Sequence, residues 1–132
     1  MNREILFRGI YSSNGKKVWV TGNYVKGCAD GNIFHHIEKA EMEYFRNYTV
    51  DGNTIGEYTG LNDKRMQPIF EGDIVEFVVP YTKLENPITH RKVVVFNHAC
   101  FSLEGLSLSA FHSYCEVIGS IHDELLSAKT EA

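Results

Sequence analysis

The chain has 132 residues and a formal net charge of −4, with 43% hydrophobic, 12% aromatic and 23% charged residues. That length suits one domain with a real core, or two small halves packed together, and the composition excludes a disordered chain. The acidic balance disfavours a general grip on phosphate backbones, and three widely spaced cysteines, Cys28, Cys100 and Cys115, exclude a disulfide framework.

The start, "MNREILFRGIYSSNGKK", is charged within four residues, unlike a signal peptide, and no apolar run reaches the roughly 20 residues of a spanning helix. The expectation is a soluble protein of a reducing cytoplasm. "EILFRGIY" and "KKVWVTGNYVK" are rich in β-formers around Asn14-Gly15, which predicts a hairpin with a slightly long loop. "GCADGN" is a second turn cluster. In "IFHHIEKAEMEYFRNYTV" the residues Phe34, Ile37, Glu41, Tyr44, Phe45 and Tyr48 fall at helical spacing, though Glu41 breaks the apolar face; "IFHHIE" and "NYTV" taken alone also fit strands, and Glu38 to Arg46 is the best short-helix candidate in the chain. A turn at Asp51-Gly52-Asn53 follows. "TIGEYTGL", "DIVEFVVP", "RKVVVFN", "CFSLEGLSL" and "YCEVIGSI" read as strands, "NDKRMQP" and "YTKLENPITH" as polar connections, and "HDELLSAKTEA" as a helical turn and tail. Several short strands between turn signals imply a mainly β fold, a small barrel or sandwich.

The stretch "YTGLNDKRMQPIFEGDIVEF", from Tyr58, looks most like a site. Glu71 and Asp73 flank Gly72 and invite an acid/base reading. The turn reading is stronger. Gly72 admits positive φ, Asp73 can accept from nearby backbone N–H groups, and an apolar strand follows at once. Gly60 has the same role after Tyr58 and Thr59. Gly60, Glu71, Gly72, Asp73 and Gly119 are therefore read as structural. The loop residues Asn62, Asp63, Lys64, Arg65 and Gln67, with Tyr58, are read as a partner-binding surface, being polar and without packing duties.

Other constellations are weaker. His98, Cys100, His112 and Cys115 offer two imidazoles and two thiols, with His98 and Cys100 on one strand face, but the spacing is poor for zinc. Both cysteines are expected to be buried strand residues, and no metal or cofactor is expected. His35 and His36 alternate faces, so one packs and one meets water. A cysteine hydrolase would pair Cys100 or Cys115 with His98, His112 or His122, yet no nucleophile elbow or Gly-rich loop accompanies them. The pairs Lys16-Lys17, Lys64-Arg65 and Arg91-Lys92 could hold nucleic acid with Tyr58 or Tyr81 stacking on bases. They read more simply as solvated strand edges.

"YTGLNDK", "EGDIVEF", "VVVFNHACF" and "EVIGSI", with "REILFRGI" and "GNYVKG" before them, resemble the YopX family of phage and prophage proteins. The resemblance runs from Arg3 to about Leu126. It departs from the family pattern at "RMQP", where the family's loop is rich in Gly or Asn, and at Glu38 to Arg46, which is longer. The resemblance implies a single YopX-like domain in a bacterial host cell. An N-terminal hairpin region with one short helix, about residues 1–56, would lead into an SH3-like β-barrel over about 57–126. It implies no reaction. The expected function is a non-enzymatic accessory protein that binds a protein partner or forms a homo-oligomer, with a nucleic-acid-binding factor as the alternative and a cysteine-dependent hydrolase third.

Overall fold

A computed structural model of the chain describes residues 3–78 and 88–127. It is mainly β and falls into two compact units, the first containing residues 3–57 and 122–127, the second 58–78 and 88–121. No helix among the described residues is long and apolar enough to cross a membrane.

In the first unit, β1 (Phe7–Ser13) and β2 (Lys16–Ala29) pair from Phe7↔Gly22 to Ser13↔Lys16. Asn14 and Gly15 have φ of 50° and 81°, so the loop is a tight two-residue turn, shorter than expected. Positive φ at both central residues matches the turn to the twist of the flanking strands, and Asn-Gly tolerates it best. Asp30 and Gly31, at 50° and 80°, repeat the device between β2 and β3 (Asn32–Ala40). β2 therefore runs through much of the "GCADGN" cluster that the sequence reads as a turn. It serves β1 with its first half and β3, from Asn23↔Glu38, with its second. Gly22 lies at the change of partner, where a Cβ would strike the Glu38 carbonyl.

The helix expected over Glu38 to Arg46 is absent. β3 continues to Ala40, a turn closed by Glu41 N–H to the Tyr44 carbonyl follows, and β4 (Phe45–Thr49) returns beside β3. The reason is pairing on both sides. Ile37 lies opposite Tyr24 on β2 and Tyr48 on β4, which buries it in a core with Val20 and Val50. Period-2 burial between two partner strands overrides the helical spacing of the same side chains. The sheet order is β4-β3-β2-β1, with Gly56 and Glu57 of β5 (Gly56–Asn62) on the outer edge of β1. A short 3₁₀ turn, Gly52–Thr54, capped by Asp51, precedes β5. α2, Asp123–Ser127, completes the unit and realises the expected helical turn.

In the second unit the rest of β5 pairs with β6 (Pro68–Phe70). β7 (Asp73–Val78) lies between β8 (Thr89–Val93) and β11 (Glu116–Ser120), and β9 (Val95–Asn97) pairs with β10 (Cys100–Ser102). The "VVVF" run divides at Val94, whose N–H donates to the Asp73 carbonyl and whose carbonyl accepts from Gly72 N–H. The "CFSLEGLSL" segment is a strand only to Ser102. Glu104 and Gly105 then turn with positive φ, and α1 (Leu108–Phe111) follows. Ile69, Val75, Phe77, Val94, Leu103, Leu108 and Cys115 form the core. These ladders stay separate among the described residues and do not close into a barrel. The connection around Tyr81 lies outside the described residues.

Candidate functional site

The loop 62–67 is organised by one buried carboxylate. Asp63 is 3% exposed. Its Oδ1 accepts from the backbone N–H groups of Arg65 (2.8 Å) and Gln67 (2.9 Å), and its Oδ2 accepts from Val117 N–H (2.9 Å). Its own N–H donates to the Gln67 carbonyl at 2.8 Å. Burial alone would raise the Asp63 carboxyl; the three backbone donors outweigh it and hold the carboxyl below the usual carboxylate range. Asp63 thus has packing duties that the sequence reading denied it. Its place in a polar run concealed this, although an Asp two and four residues before backbone donors is a familiar loop-closing arrangement.

Two further bonds tie the loop to the segment before β11. Lys64 N–H donates to the Cys115 carbonyl at 2.8 Å, and His112 Nδ1 lies 2.7 Å from the Asn62 carbonyl. A carbonyl only accepts, so Nδ1 carries the hydrogen. The loop backbone is fixed, and the side chains of Lys64, Arg65 and Met66 project from it. Lys64 Nζ and Arg65 Nε lie 3.6 and 3.3 Å from the two carboxylate oxygens of Glu116. Met66 has a φ of 64° and is 73% exposed. Gly60, Leu61, Asn62, Lys64, Met66 and His112 border a cleft of about 370 Å³. A cleft of about 410 Å³ in the first unit is larger, but its carboxylate, Asp51, is engaged in capping Asn53 N–H.

A family model described as YopX protein matches residues 7–126. The chain belongs to the YopX family. No curated protein matches it. Among solved structures, the crystal structure of protein EF1440 from Enterococcus faecalis resembles it with 21% identity and a TM-score of 0.51, covering 96% of this chain and 100% of that one. That likeness is one of fold. The YopX match contains the whole Asp63 loop and every residue that the loop touches.

The remaining site residues of this YopX-family chain separate into structural roles. Tyr58 donates its hydroxyl hydrogen to Asn62 Oδ1 at 2.8 Å and packs on Phe70. Gly60, with φ of 82°, lies where the β5–β6 register shifts. Gly72 has φ of 89°, and Asp73, 1% exposed, accepts Phe70 N–H on Oδ2 at 2.8 Å. Glu71 is half-buried in the same turn. Gly119 pairs with Ile74 just past a bulge that leaves Ile118 extra in β11.

The His/Cys constellation falls apart in space. His98 stands in a turn with Ala99, both at positive φ, rather than on the face of a strand with Cys100. Cys100 is exposed on β10, not buried as expected. Cys115 is buried, just before β11, and donates to the Phe111 carbonyl at 3.3 Å. Burial, aided by the Asp63 charge, pushes its thiol up to about 11. Among the described residues no group of three or more His, Cys, Asp or Glu is placed to hold a metal ion. His35 and His36 do lie on opposite faces of β3. Both are half-buried, His35 against Tyr24 and His36 near Thr49, so neither simply meets water.

Proposed function

We propose that this chain is a non-enzymatic phage or prophage accessory protein of the bacterial cytoplasm. It works by binding protein, and the 62–67 loop is its recognition surface. The observation that carries this reading is the Asp63 clasp, which holds a polar surface loop in one conformation while Lys64, Arg65 and Met66 face outward. A preorganised loop loses little entropy on binding, and loops on rigid scaffolds are where recognition concentrates. We further propose that the second unit is a divergent form of an SH3-like barrel, with the clasped loop at its rim. The high proton affinity of the Cys115 thiol supports a non-catalytic role for it, since the thiolate is the nucleophile.

The nucleic-acid reading is weaker because the cations in the second unit have carboxylate partners. Lys64 and Arg65 share Glu116, Arg91 Nε lies 2.8 Å from Glu76, and Lys92 lies 3.7 Å from Glu104. Capture of partners from host lysate with the native chain and with Lys64→Ala/Arg65→Ala, read by mass spectrometry, tests the proposal. The variant is expected to lose a specific partner. Equal capture by both removes the loop from the function. Binding to single-stranded DNA that weakens steeply with salt would favour the alternative.

A further inference from the structure

We propose that α2 is a latch released by acid: protonation of His122, whose ring shares Trp19 with the Arg8 guanidinium, frees the helix from the face of the β1–β2 hairpin. The latch belongs to the first unit alone and does not depend on the 62–67 loop.

The pairing of β1 with β2 prepares the seat. Ile10 stands opposite Trp19 and Arg8 opposite Thr21, so these four side chains share one face of the sheet. Val20 points to the other face, into the core with Ile37 and Val50. Trp19 is half-buried. The Arg8 guanidinium lies over its ring at 4.0 Å, and the His122 ring meets it at 6.1 Å between centroids and an interplanar angle of 67°. α2 packs on β2, and Leu125 borders the cleft of about 410 Å³ with Ile10, Lys17, Val50 and Asp51.

The helix is lightly held. It has five residues, too few to be stable by themselves, and none of them is buried. Leu125 and Leu126 are half-buried, and their N–H groups donate to the His122 carbonyl at 3.1 and 3.2 Å. The first turn therefore hangs on the residue that touches Trp19, and the two move together. In the docked state a proton on the His122 ring is opposed by partial burial first and by the Arg8 cation second; Asp51 and Asp123 attract it more weakly. Lys17 lies on the same face as Trp19, opposite Ser12. The balance lowers the proton affinity of the docked ring. Released, the ring returns to water and to an ordinary value of about 6.5, so the released state binds the proton more tightly. Docking is strongest above about pH 6.5 and weakens as pH falls toward the docked ring's lower value, by at most about tenfold per pH unit. Release uncovers Trp19 and opens the cleft on its Leu125 side.

Acrylamide quenching of Trp19, the chain's one tryptophan, tests this in the full chain from about pH 7.5 to about pH 5, above the usual carboxylate range. A neutral quencher reads exposure rather than charge. The quenching constant of the native chain is expected to rise as pH falls, with a midpoint below about 6.5. His122→Phe and His122→Gln take no proton and should give flat profiles; the first keeps a ring on Trp19, so one variant serves if the other does not fold. Leu125→Asp/Leu126→Asp puts charges into the seat and should be quenched at about pH 7.5 at least as readily as the native chain at about pH 5. A flat native profile would overturn the latch, as would a rise that persists in the His122 variants. A native fluorescence that falls in acid with an unchanged quenching constant would overturn it too, since the imidazolium would then be quenching a ring it still touches. So would a leucine variant no more quenchable than the native chain, because α2 would then not be what covers Trp19.

Discussion

Asp63 does at residue scale what a small hydrophobic plug does elsewhere: it makes a loop part of the core. Asp63→Asn keeps one acceptor oxygen but turns an NH₂ group toward a backbone N–H. Leaving a buried donor unsatisfied costs about 1–3 kcal/mol, so a clear fall in the denaturant midpoint is expected. The pH dependence has a definite sign. The folded carboxyl sits below its unfolded value of about 3.9, so its contribution is complete above that value. It is lost as pH falls through the folded value. The stability gap between native and Asp63→Asn chains should therefore narrow below about pH 4. Gly72→Val forces a β-branched residue to a φ of 89° and should cost about 1–3 kcal/mol. Asp73→Ala removes the Oδ2 that accepts Phe70 N–H and should also lower the melting temperature. By contrast, Lys64→Ala/Arg65→Ala removes only exposed ion pairs and should change stability by less than about 1 kcal/mol.

At the scale of elements, Gly22 is the joint of the first unit. Gly22→Ala drives a Cβ into the Glu38 carbonyl and should part β2 from β3 there, at about 1–3 kcal/mol by overpacking. α2 is reported by Trp19, the chain's one tryptophan, which contacts His122 at 6.1 Å between ring centroids and carries the Arg8 guanidinium at 4.0 Å. Burial, then the Arg8 charge, lowers the His122 pKa, so a fluorescence titration of Trp19 should have its midpoint below about 6.5. The strands were legible because their alternation is local, as in Asp73, Val75 and Phe77 facing inward along β7. The turn at Gly72 was legible for the same reason. The segment 38–46 was not, because its spacing fits a helix and only pairing with β2 and β4 decides it. Asp63 was misread for a related reason: its donors include Val117, 54 residues away. The exposure of Cys100 likewise depends on where chain segments meet.

For the whole molecule, the family and the mainly β class follow from blocks spread along the sequence, whereas the closed barrel depends on strand closure that the described ladders lack. Two units with separate cores, around Ile37 and around Val75, divide the work: one builds hairpins, the other fixes a loop by a buried charge. The central claim is that the 62–67 loop is as firmly built as the strands beside it. Amide hydrogen exchange across the chain tests it most directly. The account predicts that Arg65, Gln67 and Val117 N–H exchange as slowly as the paired amides of β7, and that Asp63→Asn releases all three together. Fast exchange at Arg65 and Gln67 in the native chain, alongside protected β7 amides, would contradict it.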